Sequence, residues 1–154
     1  MTPTRPSLLL IVGLLSGGGA WLVEGAIVAA GKAVMVPPLT LGAAAGIIGI
    51  VVALLAVPVY RVARKVPGAQ VDPFYATRIV LLAKASSLAG ALATGATGAI
   101  LGFLLTRSVV PAAGSVSASA IAVTGAVILL IGGLVAEKMC TLPPDDDSNK
   151  EPTP

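Results

Sequence analysis

Long apolar runs separated by short polar stretches dominate the pattern of this chain. The runs cover roughly residues 8–30, 39–60, 79–105 and 118–136. A spanning helix needs about 20 mostly apolar residues, because each residue rises about 1.5 Å through a hydrocarbon core of about 30 Å. Each run meets that length. The pattern predicts an all-α integral membrane protein, a four-helix bundle forming one domain over residues 1–140. Residues 141–154, with Pro143, Pro144, Asp145, Asp146 and Asp147, are too polar and proline-rich to pack and are expected to form a disordered tail.

The polar stretches carry the punctuation. Met1–Ser7 is a short polar lead with Arg5. Leu8–Leu15, followed by Gly18 and Ala20, has the outline of a secretory signal. The apolar pattern runs on to Ala30, however, so an uncleaved first span is the favoured reading. Gly31–Pro38 is a turn holding Lys32, and Pro37 and Pro38 suit a helix start, where a missing N–H costs little. The second helix should pass Pro58 and reach Val66, where Pro67–Gly68 stops it. Asp72 can cap the third helix and Pro73 fits its first position, which predicts a helix over 73–105, longer than a span requires. Thr106–Ser117 reads as a turn with Arg107, Pro111 and Gly114.

Composition sharpens this picture. Charged residues make up 11% of the chain and apolar ones 56%, against about 25% charged in an ordinary soluble domain, so a water-facing surface cannot be built. The net charge of +3 matters less than its placement. With four spans, Arg5, Arg61, Arg64, Lys65, Arg78, Lys84, Lys138 and Lys150 fall on one side, and Lys32 and Arg107 on the other. Basic loops stay in the cytoplasm, so both termini are expected there. Tyr60 and Tyr75 then mark the inner interface and Trp21 the outer one.

Burial of apolar surface cannot assemble helices in lipid; close packing through small residues can. Ser86, Gly90, Thr94, Gly98 and Gly102 recur every four residues in the third span and predict a packing stripe, with Ser87, Ala91, Gly95 and Ala99 in a second row. Gly13 and Gly17, and Gly42 and Gly46, repeat the spacing in the first two spans. Packing within the monomer is preferred over a dimer face, and Gly98→Leu is expected to destabilise the protein.

Candidate chemistry is sparse. There is no His and a single Cys140, so a histidine metal site, a His-based acid–base pair and an internal disulfide are excluded. No metal or other cofactor is expected, and neither is nucleic acid as a partner. Glu24 and Lys84 are ionisable groups in or near spans and are functional suspects for that reason. They fall at opposite ends, so Lys32 and Arg107 are the expected partners of Glu24, while Lys84 can snorkel to the headgroups. Arg61, Arg64 and Lys65 form a basic cluster suited to anionic lipid headgroups or to a partner.

Two segments carry a family resemblance: Val71–Leu92, VDPFYATRIVLLAKASSLAGAL, and Gly132–Pro144, GGLVAEKMCTLPP, followed by acidic residues. Together with Thr4-Arg5-Pro6 before a leucine run, they resemble an actinobacterial family of small four-span membrane proteins catalogued as a domain of unknown function. Arg78, Ala83-Lys84-Ala85, Gly90, Glu137, Cys140 and Pro143 are the most specific positions, which adds Arg78 and Glu137 to the functional candidates. The chain departs from the family at Gly95-Ala96-Thr97-Gly98, where aromatics often stand between two glycines. The resemblance implies a bacterial plasma-membrane location and a gene neighbourhood often holding folate-pathway enzymes. It supplies no catalytic residue.

Without paired acids or an activated nucleophile, an enzyme is not expected. The leading expectation is a non-enzymatic accessory or scaffold component that offers its basic loop and acidic tail to a membrane-protein partner. The alternative is an oligomeric carrier or channel for a small or lipidic solute. Its polar lining would be Ser86, Ser87, Thr94, Thr97 and Thr124, with a helix break sought at Gly17-Gly18-Gly19.

Overall fold

The computed structural model describes residues 6–64, 72–106 and 113–140. Within them lie four α-helices, α1 (Pro6–Ala29), α2 (Leu39–Ala63), α3 (Pro73–Leu105) and α4 (Ala113–Cys140), and no strand. All four are long and apolar enough to cross a membrane. Arg5, Lys65, Arg107 and the tail from Thr141 lie outside the described residues.

Local chemistry explains the helix ends. The α1 terminus closes on Gly31 at φ 73°, a backbone conformation that favours glycine. The Gly31 amide donates to the Val28 carbonyl (2.9 Å) and the Lys32 amide to the Ile27 carbonyl (3.1 Å), a Schellman closure. The expected start of α3 is found: Asp72 Oδ1 accepts from the Phe74 amide at 2.9 Å, and the helix opens on Pro73. α4 starts at Ala113, several residues before the expected position near 118. Its serines are compatible with a helix because they can bond to backbone a turn away, as Ser117 Oγ does by donating to the Gly114 carbonyl at 3.0 Å. α2 ends at Ala63, short of Val66, with the Arg64 amide closing on the Tyr60 carbonyl at 3.0 Å. α1 runs unbroken through Gly17-Gly18-Gly19, so the helix break sought there is absent.

The bundle is an open row rather than a closed square. α3 and α4 lie antiparallel at its centre, with Gly90 against Leu130 and the Ala83–Ser87 turn against Gly133. α2 runs parallel to α4 and also touches α3. α1 runs parallel to α3 and, among the described residues, packs on no other helix. Pro6 and Cys140 therefore share one end, the terminal end; the α1–α2 connection lies at the far end.

Backbone proximity holds these contacts together. Among the described residues the largest side chains fully shielded from solvent are Ser87 and Ser119, so the tightest packing is between small residues. Along the α2–α4 seam, Gly42 meets Gly125 and Gly49 meets Gly132. A seven-residue step returns to within about 20° of the same helix face, so both pairs lie on one line. Gly46 sits between them, where an added methyl would stand 3.8 Å from the Gly125 Cα. Toward the terminal end the seam widens into Val52, Ala56, Val59, Ile79, Ala83 and Ala136.

The predicted stripe on α3 divides between two partners. Gly90 faces α4, whereas Gly102 lies under Trp21 of α1. A methyl at Gly98 would meet nothing within 4 Å, which overturns its expected place in the packing. A strict four-residue row turns about 40° per step and so rotates about 160° over four steps, too far to serve one neighbour. Instead the α1 contact uses Gly95 from the second row, against Gly13 and Gly17.

Candidate functional site

The far end is organised by Glu24. Its side chain is 3% exposed, and Oε2 accepts from the Met35 amide at 3.2 Å. Met35 belongs to the connection that carries the chain from α1, beside α3, across to α2, beside α4. Glu24 therefore anchors this crossing. The partner found is a backbone amide rather than the expected Lys32, which is exposed; Arg107 lies outside the described residues. Close by, Trp21 stands edge-on to Phe103, with centroids 5.3 Å apart at 82°, and fixes the far half of α1 on α3.

The remaining candidates gather at the terminal end. Arg61, Arg64 and Arg78 are exposed, Lys84 is half-buried and Glu137 is buried. The Arg64 guanidinium lies over the Tyr60 ring, 5.2 Å from its centroid. Tyr75 Oη donates to the Leu55 carbonyl at 3.3 Å and ties α3 to α2. Lys65 lies outside the described residues.

The helix register locates Lys84 more closely. Gly13 of α1 meets Ala91 and Gly95 on the parallel α3, so Pro6, seven residues earlier, comes level with roughly Ser86. Lys84 thus lies within one turn of the start of α1. A long cationic side chain at that level reaches the headgroups without crossing the hydrocarbon.

Four of the five hydroxyls expected to line a polar route bond to backbone on their own helices. Thr94 donates to the Gly90 carbonyl (2.7 Å), Thr97 to Ala93 (2.7 Å), Thr124 to Ala120 (2.8 Å) and Ser87 to Lys84 (2.9 Å). Ser16 differs: its Oγ crosses from α1 to the Leu92 carbonyl of α3 at 2.7 Å. Sequence reasoning missed Ser16 and Phe103, because a lone serine beside three glycines, or a single aromatic, has no periodic signal. Among the described residues no cluster of three His, Cys, Asp or Glu could hold a metal ion.

An apolar groove of about 510 Å³ runs between α1 and α4 over α3, lined by Leu9, Gly13, Ala91, Thr94, Leu130 and Leu134 among others.

Among known families, the model described as a protein of unknown function (DUF3180) matches residues 9–144. No curated protein and no solved structure matches the chain.

Proposed function

We propose, from the premise that the chain belongs to this family of unknown function, that it serves as a non-enzymatic accessory or scaffold subunit of the bacterial plasma membrane. The observation that carries this reading is the distribution of polar groups. Exposed Arg61, Arg64, Arg78 and Lys138 stand at the terminal end, while within the spans the Thr94, Thr97 and Thr124 hydroxyls are bonded to backbone and the buried Ser119 hydroxyl stands by itself, with no chain of polar groups joining them among the described residues. The cations favour a cytoplasmic terminal end, where they form a docking face for an acidic surface of a partner membrane protein. Glu24 acts structurally, and half-buried Lys84 and buried Glu137 lie at the same end as the docking face without being part of its exposed surface. Affinity purification from native membranes in mild detergent is the test. Recovery of a defined partner that is lost in Arg61→Gln/Arg64→Gln supports the reading; recovery of this chain alone in every detergent overturns it.

The α1–α4 groove favours a second reading, an oligomeric carrier of a lipidic solute, because its walls are almost wholly aliphatic. Altered uptake or efflux of an amphipathic solute in a deletion strain, restored by the wild-type chain, would select it.

A further inference from the structure

The apolar groove between α1 and α4 stops partway through the bundle. From the terminal end it reaches Leu14 on α1, Gly95 on α3 and, on the antiparallel α4, Leu130. Lys84 stands seven residues before Ala91, which lines the floor. A seven-residue step keeps to one helix face within about 20°, so Lys84 continues the floor past the start of α1. From Lys84 to Gly95 the helix advances about 16 Å, close to half of a hydrocarbon core of about 30 Å. The groove is therefore one leaflet deep, with aliphatic walls and a half-buried cation at its headgroup end. The acid on α4 at this end, buried Glu137, comes level with Ala83, since Gly133 meets the Ala83–Ser87 turn. Ala83 lies in the core with α2 and is turned about 100° from Lys84 around α3, so the α3 face beside Glu137 is not the one that carries Lys84.

We propose that this groove holds an anionic phospholipid, with one acyl chain on the Ala91–Gly95 floor and the phosphate at Lys84. Depth argues against a helix from a second copy, which would need a groove through both leaflets. Charge selects among lipids. A zwitterionic headgroup brings its own cation toward Lys84, whereas an anionic one meets it with a phosphate alone. The inference rests on the groove of the carrier reading and names the amphiphile that fits it, but it does not require the lipid to be moved. Bound lipid with no solute phenotype in the deletion strain would sink the carrier reading alone. The docking face is separate as well: Arg61 and Arg64 stand at the end of α2, and no residue of α2 lines this groove.

The experiment is a native mass spectrometry titration of the full chain in detergent, with phosphatidylglycerol, phosphatidylcholine of the same acyl chains, or inorganic phosphate. Phosphatidylglycerol should bind as one preferred molecule, phosphatidylcholine more weakly, and inorganic phosphate not at all. Lys84→Gln should weaken phosphatidylglycerol binding about fivefold and leave phosphatidylcholine unchanged. Lys84→Arg should keep the preference, which separates a lost charge from a disturbed fold. Thr94→Phe, which fills the floor, should weaken both lipids with Lys84 in place. Arg61→Gln/Arg64→Gln should bind phosphatidylglycerol as wild type does. Equal binding of the two lipids, an unchanged preference in Lys84→Gln, wild-type binding in Thr94→Phe, or a preference lost in Arg61→Gln/Arg64→Gln would overturn the assignment.

Discussion

Gly42 and Gly125 meet backbone to backbone where α2 crosses α4: a methyl group on Gly125 would run into the Gly42 carbonyl, and one on Gly42 would stand 2.5 Å from the Ile121 carbonyl oxygen. Lipid offers apolar side chains no reason to leave it, so contacts of this kind decide the fold. Glycines that touch nothing should be dispensable by the same logic. Gly125→Ala is expected to cost about 1–3 kcal/mol, as overpacking does. Gly98→Leu and Gly18→Leu, where an added methyl meets nothing within 4 Å, should stay within about 0.5 kcal/mol of wild type. Reversible unfolding in mixed detergent micelles, followed by circular dichroism, measures both. A strongly destabilising Gly98→Leu would contradict the register of α3.

The contrast between those glycines shows how far sequence reaches. Four spans were legible because each is a long apolar run between turn residues, and the start of α3 was legible because Asp72-Pro73 carries its own capping chemistry. The choice between Gly95 and Gly98 was not. Both lie in small-residue rows, and only the angle at which α1 crosses α3 decides which one meets Gly13. Glu24 illustrates a second limit. An acid in a span signals a special position, but its partner is a backbone amide in a connection, and an amide has no residue type to recognise.

Glu24 supplies the second prediction. Glu24→Ala would remove the acceptor of the Met35 amide in a nearly water-free position. Loss of a part-buried hydrogen bond costs about 0.5–1.5 kcal/mol, and most of it should appear locally, as opening of the Ala30–Pro38 crossing. Limited proteolysis in detergent should cut this connection faster in Glu24→Ala. Glu24→Gln keeps a carbonyl acceptor in place and should resist cleavage nearly as wild type does. Equal resistance of the alanine variant would remove Glu24 from the anchoring role.

The edge-on contact of Trp21 with Phe103 can be read optically, since Trp21 is the only tryptophan. Phe103→Ala removes a contact worth about 0.5–1.5 kcal/mol beyond area burial. It also frees the indole toward the surrounding lipid or detergent headgroups. The emission of Trp21 should shift to the red, and α1 should separate from α3 earlier in a denaturant titration than α2 does from α4. The asymmetry follows from the open row: among the described residues α1 packs on one helix, whereas α2 packs on two. An unfolding curve in which Trp21 fluorescence and total helicity move together would show that α1 is held as firmly as the rest.

Orientation is the last prediction, and it follows from where the cations sit. Arg61, Arg64, Arg78 and Lys138 are exposed toward the terminal end, and Lys32 is exposed at the far end. Insertion keeps the more basic loops in the cytoplasm, and acidic residues such as those of the tail weigh little in that choice. In a Cys140→Ser background, Lys32→Cys on intact cells should therefore react with a membrane-impermeant maleimide. Arg64→Cys should react only after permeabilisation. The reverse labelling would turn the protein over in the bilayer and remove the cytoplasmic docking face on which the scaffold reading stands. Labelling of both positions in intact cells would instead show a mixed population, and in that case the charge bias among the connections would be too weak to set a single orientation.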